Sequence, residues 1–124
     1  MRAVVFERNG GPDVLTFTDA PDPEPGPDHA LVDVEAEREG KGYGSPPPAV
    51  PGAEGAGTVA GTGERVAWMN ISGSYAERLS APREKLVPVP DGLSLEVAAA
   101  AMLQGITADY LVSDSYPVQP GDWV

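Results

Sequence analysis

Short apolar runs separated by glycine and proline fill the chain as far as Pro90. The first run, Arg2-Ala3-Val4-Val5-Phe6, is rich in β-branched and aromatic residues, and Asn9-Gly10 and Gly11-Pro12 follow it as turn signals. Leu15 and Phe17 then alternate with Thr16 and Thr18, the period of a strand. These two runs predict an antiparallel hairpin. Four prolines between Pro21 and Asp28 predict an extended connector, because proline lacks the amide that a helix interior requires. From His29 onward, Leu31, Asp33 and Glu35 alternate with Val32, Val34 and Ala36, a half-buried strand with its acids towards solvent.

Arg38 to Gly52 holds four glycines and the triplet Pro46-Pro47-Pro48, which forbids both a helix and a central strand. The runs from Glu54 to Ala60 and from Arg65 to Met69 read as short strands joined by a tight turn, Gly61-Thr62-Gly63-Glu64. Tyr75, Glu77 and Leu79 mark another strand, and Lys85 to Pro90 is an edge strand broken by prolines. After Pro90 the period changes. Asp91 or Ser94 can cap a helix with Glu96 in its first turn, and Leu95 to Leu103 is strongly helical. Gly105 is expected to interrupt this helix, with a second helical segment from Ile106 to Ser115. Pro120-Gly121-Asp122 predicts a turn into a new strand at Trp123, and a chain that stops there suggests truncation.

The length of 124 residues suits a single domain. There is no cysteine, which excludes disulfides, thiolate metal sites and thiol catalysis. His29 is the sole histidine, so a multi-histidine metal site cannot be built, and at a strand end without ligand partners it reads as structural. Nineteen acids against eight bases give a net charge of -11, which argues against nucleic acid or an anionic membrane as partner. The longest uninterrupted apolar run, Val97 to Leu103, is too short to span a bilayer, and no signal peptide precedes Ala3; a cytoplasmic protein is expected. The acidic pairs Glu37/Glu39 and Asp19/Asp22 fall in exposed-looking segments and read as solvated surface.

One motif asks for a decision. Gly55-Ala56-Gly57-Thr58-Val59-Ala60 fits the spacing of a dinucleotide-binding fingerprint. That fingerprint requires a strand before it and a helix after it, so that the helix amides receive a pyrophosphate. Here prolines precede the hexad and a Gly-Thr-Gly turn follows it. The glycines are therefore expected to serve backbone geometry, at bends, bulges or close approaches of strands.

The stretches Pro51 to Gly57, Arg65 to Trp68, Gly73 to Val112 and Val118 to Val124, with the opening Met1 to Asp19, resemble the medium-chain dehydrogenase/reductase superfamily, in its zinc-free NADPH-dependent quinone oxidoreductases. The resemblance covers nearly the whole chain. It implies a mostly β fold: a GroES-like, partly open antiparallel β-barrel over residues 1–124 with one or two C-terminal helices, the helical segment lying at about 94–115. In that family a Rossmann domain carrying the phosphate turn follows the segment that matches Pro120-Gly121-Asp122-Trp123-Val124, so the resemblance implies a barrel domain without its cofactor domain. Zinc-binding members carry a histidine where this chain has Ala53, in Gly52-Ala53-Glu54-Gly55-Ala56-Gly57, and alanine cannot ligate a metal.

Two segments depart from the family. After Ala36 the chain passes at once to Glu37-Arg38-Glu39-Gly40, where the family has a longer segment holding an asparagine near substrate and nicotinamide. Gly61 to Glu64 likewise replaces a longer loop. Carried over residue by residue, Tyr43 matches a tyrosine near the substrate slot and is the catalytic candidate. Gln104 and Thr107, in Gln104-Gly105-Ile106-Thr107, match the turn against the nicotinamide. Trp68, Met69 and Asn70 match a wall of the substrate pocket. Each also has a plain structural role open to it: Tyr43 can pack on the prolines, Thr107 can bend a helix, and Trp68 has the periodicity of a core residue. The resemblance implies reduction of quinones or enones by NADPH in an intact enzyme, no zinc, and little activity or tight cofactor binding in this chain alone. A trimmed, engineered barrel scaffold is the alternative. A GroES-like interaction module is disfavoured by the short loops. The apolar segment from Leu95 to Val112 would be exposed without a second domain, and homodimerisation through it is expected.

Overall fold

The computed structural model describes residues 1–37 and 46–123. Strands β1 (Arg2–Phe6) and β2 (Leu15–Asp19) pair antiparallel, Arg2 opposite Asp19 and Phe6 opposite Leu15, as their alternation predicts. They form a two-stranded sheet. A five-stranded sheet contains β3 (His29–Glu37), β4 (Glu54–Val59), β5 (Arg65–Met69), β6 (Arg78–Pro82) and β7 (Val87–Pro88). Its order is β6-β3-β4-β5-β7, and every pairing is antiparallel. Isolated bridges from Ala3 to Ala76 and from Phe6 to Ala49 fasten β1 beside the larger sheet. Among the described residues the strands do not close into a full barrel, so the architecture is a partly open one.

The β4–β5 turn is the tight connection expected. Gly63 N–H donates to Val59 O at 2.9 Å, and Val59 N–H to Glu64 O at 2.8 Å. Gly61 and Gly63 take φ of 84° and 73°, the left-handed region that glycine occupies without a Cβ penalty. Strand β7 is the predicted edge strand, cut to two residues by its prolines.

Alternation along the central strands sends side chains to two cores. On one face, Ala30, Val32, Val59, Val66, Trp68, Ile71, Leu79 and Ala81 pack together. On the other, Ala56 and Ala67 meet Val89, Leu95, Ala98 and Ala99. The residues at the second contact are mostly alanines, so the helix backbone lies close to the sheet. Trp68 is fully buried, and its indole N–H donates to the Ser74 hydroxyl at 2.9 Å. That hydroxyl in turn faces Ile71 O at 3.4 Å, so a buried polar pair is satisfied inside the larger core.

Helix α1 (Leu95–Tyr110) begins at Ser94, whose hydroxyl accepts from Val97 N–H at 3.3 Å. Of the two cap candidates, Ser94 is the one used. Gly105 does not interrupt α1, contrary to expectation. Glycine costs a helix only about 1 kcal/mol relative to alanine, and the alanine-rich turns around it carry the helix through. One π-helical turn, Leu111–Ser115, continues it, so the helical region matches the expected 94–115 while forming one body instead of two. No strand starts at Trp123. Asp122 N–H donates to Gln119 O at 3.0 Å, and the Asp122 carboxyl accepts from Gln119 N–H at 2.8 Å, closing a turn there instead.

Because the helix is unbroken, Leu95–Ser115 is long and apolar enough, by length and composition, to cross a membrane, with a mean hydropathy of 1.2. Counting uninterrupted apolar residues missed this, since Gln104 and Thr107 break the run without lowering the average much. The segment also carries Glu96, Asp109 and Asp114, and its first turns are built into the core beneath.

Ser74→Ala leaves the Trp68 N–H without its acceptor in a site with no solvent. It is expected to cost about 1–3 kcal/mol, read as a lower midpoint in urea unfolding followed by tryptophan fluorescence.

Candidate functional site

Three strand ends and the middle of α1 meet at one end of the five-stranded sheet. Glu37, the last residue of β3, pairs with Gly55, and Glu54, the first of β4, pairs with Met69, the last of β5. Helix α1 starts at the opposite end of β5, where the Arg65 guanidinium donates to Pro90 O at 3.4 Å and also to Leu93 O. It then runs along the sheet until Leu103 N–H donates to Glu54 Oε2 at 3.1 Å. Gln104 and Thr107 therefore follow at the end of the sheet that Met69 and Asn70 also mark.

The glycine hexad lies within this construction as strand β4, not as a phosphate turn. A Cβ on Gly57 would stand 2.0 Å from Asp33 O of the neighbouring strand. A Cβ on Gly55 would stand 2.7 Å from the Trp68 ring and 2.8 Å from Ala36 O. Both glycines exist because another backbone or ring occupies the place of a side chain. The pairing also shifts between Val34 and Ala36, so that β3 carries Glu35 as an extra residue and bends here. The Glu35 carboxyl accepts from the Thr58 hydroxyl at 3.1 Å. A pyrophosphate needs unpaired amides at a helix N-terminus. These amides lie in a strand paired on both sides, so the hexad does not fit the phosphate part of a dinucleotide.

The expected site residues are placed as follows. Trp68 is wholly enclosed in the core, Met69 is half-buried, and Asn70 is exposed at φ 58°, a left-handed turn that asparagine tolerates. Gln104 and Thr107 are exposed on α1. Tyr43 lies outside the described residues. Along the β7 edge of the sheet, an apolar groove of about 370 Å³ opens between α1 and β7, lined among others by Val87, Pro88, Leu93, Met102 and Ile106. The residue-type reading overlooked this groove. It also gave no role to Glu54, which is only 6% exposed. The one signal for Glu54 was a single acid at the head of a strand otherwise made of small and apolar residues.

The charged groups form surface networks elsewhere. Arg78 bridges Asp22 at 2.7 Å and Asp33 at 3.1 Å. A hydrogen bond from the Met1 ammonium, aided by the nearby Arg78 charge, holds the Asp22 carboxyl below its usual value. Glu96 is also lowered, by its own backbone amide first and the Ser94 hydroxyl second, as suits an acid in a first helical turn. Among the described residues no three His, Asp or Glu side chains gather to hold a metal ion.

This arrangement defines a GroES-like domain of the medium-chain dehydrogenase/reductase kind. No family model matches the chain. A quinone oxidoreductase of Pseudomonas aeruginosa is 33% identical over 142 positions, covering 99% of this chain and 44% of the relative. The quinone oxidoreductase of Pseudomonas syringae has the same fold with a TM-score of 0.90 at 33% identity, over 98% of this chain and 43% of that one. The Thermus thermophilus quinone oxidoreductase, solved also in complex with NADPH, gives a TM-score of 0.85 at 35% identity, over 98% and 43%. The chain belongs to the quinone oxidoreductase family. It spans less than half the length of these relatives. An alignment of 142 positions against a chain of 124 residues also means that the relative carries residues this chain lacks inside the matched stretch.

Gly57→Ala should be far more damaging than Gly61→Ala. The first drives a methyl into the Asp33 carbonyl and is expected to cost about 3 kcal/mol or more, the upper end of overpacking. The second meets open space and pays only for its positive φ, about 1–2 kcal/mol. Thermal unfolding of the two variants checks the order.

Proposed function

We propose that this chain is the substrate-facing domain of an NADPH-dependent quinone oxidoreductase, acting on quinones or enones only when joined to a dinucleotide-binding domain. The observation that carries this reading is the meeting of the β3, β4 and β5 ends with the middle of α1, in a chain whose relatives are quinone oxidoreductases. On this reading Gln104 and Thr107 border the nicotinamide. Met69 and Asn70 border the substrate with Trp68 behind them, and Tyr43 approaches the reacting group. In such an enzyme the dinucleotide supplies the hydride, while the protein supplies orientation and a dry slot. No zinc takes part, since Ala53 offers only a methyl group and the chain has no cysteine. The protein works in the cytoplasm, and with a net charge of -11 it has no nucleic-acid partner.

A second reading has one specific support. The Gly61-to-Glu64 connector is short and regular, and the relatives carry extra residues within the matched stretch. Both suit a minimal barrel scaffold, trimmed by design and without enzymatic activity. Either way, α1 and the turn after it expose Ile106, Tyr110, Leu111 and Val112, at 50%, 56%, 51% and 44%. We take this face to pair with a second copy of the chain.

Two measurements test these statements. NADPH titration followed by Trp68 and Trp123 fluorescence, with NADPH oxidation by a simple quinone, is expected to give neither saturation nor turnover from the folded chain. Turnover would overturn both the dependence on a second domain and the scaffold reading. Sedimentation velocity is expected to show a monomer–dimer shift with rising concentration, and a sharp monomer at high concentration would remove the dimer.

A further inference from the structure

A main-chain amide inside an α-helix ordinarily serves only the carbonyl four residues back. Leu103 sits in the middle of α1, yet its amide reaches a carboxyl group carried by the sheet, Glu54 Oε2 at 3.1 Å. The two residues are 49 positions apart in sequence. Glu54 is a charged residue type only 6% exposed, which is uncommon unless the group has partners and a task. It heads β4 directly opposite Met69. On its N-terminal side α1 is held by apolar packing of Leu95, Ala98 and Ala99 and by Arg65 on Pro90 O. Apolar contacts between small residues resist separation but tolerate sliding, because alanine presents nearly the same surface at each step. Past Met102 the side chains of α1 are more exposed, Leu103 at 43% and Ile106 at 50% against 5% for Ala98 and 2% for Ala99, so packing on the sheet holds these turns less tightly than the first ones. The Glu54 hydrogen bond stands between the buried first turns of α1 and its more exposed later ones.

We propose that Glu54 is a positioning residue: it fixes the height of α1 over the sheet and thereby sets where Gln104 and Thr107 stand relative to Met69 and Asn70. The idea rests on the reading of those four residues as site residues, but the clamp itself is testable without any ligand. It touches no reacting group in this assignment. Its action is to hold an amide, and through that amide one helical turn.

Amide hydrogen exchange on the full chain tests it, comparing the wild type with Glu54→Ala, Glu54→Asp and Glu54→Gln. Gln keeps both length and acceptor; Asp keeps the acid but falls one methylene short. Ala and Asp are expected to speed exchange at Leu103 to Tyr110 by about tenfold or more, the kind of local opening that separates a tied segment from a frayed one, while amides of β3 and β5 hold within about threefold. Gln is expected to restore the wild-type pattern. Equal acceleration everywhere would make Glu54 a contributor to global stability only, and no change at Leu103 would remove the clamp. Either result overturns the proposal, as does failure of both Ala and Asp variants to fold. If the clamp holds while the chain shows no affinity for NADPH or quinone even when fused to a dinucleotide-binding domain, the functional reading fails and the positioning contact survives it.

Discussion

The contact on which the structure turns is an absence: Gly57 has no side chain, and the Asp33 carbonyl of β3 fills the space where one would be. Two strands can approach this closely only if one of them gives up its Cβ. From this follows the bend in β3 at Glu35, and from the bend the direction in which β3 leaves the sheet. Gly55, two residues earlier, makes the matching concession to the Trp68 ring. The indole can then lie flat against the sheet with its N–H turned to Ser74, and the larger core closes around it. The opposite face is left with alanines, which is why a helix can lie on it.

Much of this was legible in the sequence because the signals are local. The alternation at Leu15 to Thr18 and from Leu31 to Ala36, the Gly61-to-Glu64 turn and the Ser94 cap each depend on neighbours within a few residues, and each stands where it was expected. What failed was a rule of local preference applied against its surroundings. Gly105 weakens a helix, but a penalty near 1 kcal/mol does not end one already nucleated among alanines. Trp123 looked like the start of a strand, yet a strand needs a neighbour to pair with. The Asp122 carboxyl instead finds the Gln119 amide in a turn.

The site divides in the same way. Kinship to quinone oxidoreductases could be read from the segments that resemble them, and the sequence could refuse the dinucleotide fingerprint by its context of prolines and turn. Which backbone atom demanded each glycine could not be read, because Asp33 O and the Trp68 ring arrive from strands distant in sequence. Trp68 illustrates the mixture. Its strand periodicity pointed to the core, its place in the family pointed to the pocket wall, and the fold gives it no exposed surface. Glu54 was legible only as an oddity, one acid before a row of small residues. Its partner Leu103 lies on an element of different type, and no pattern along the chain joins them.

These features assign a division of labour within the domain. The described residues hold no cluster of three His, Asp or Glu side chains that could take a metal ion. They offer instead rigid geometry: a sheet drawn tight at its glycines, a tryptophan pinned by a buried hydrogen bond, and a helix laid on alanines. On the proposed function, hydride transfer would reward geometry of this kind, since a misplacement of about 1 Å between reacting atoms can lower the rate a hundredfold. A domain that orients need not carry reactive groups, but it must resist sliding where its layers are smooth. The alanine-on-alanine contact beneath α1 is the smoothest layer here, and a directional bond from the sheet to the helix backbone supplies the resistance that packing of small side chains lacks.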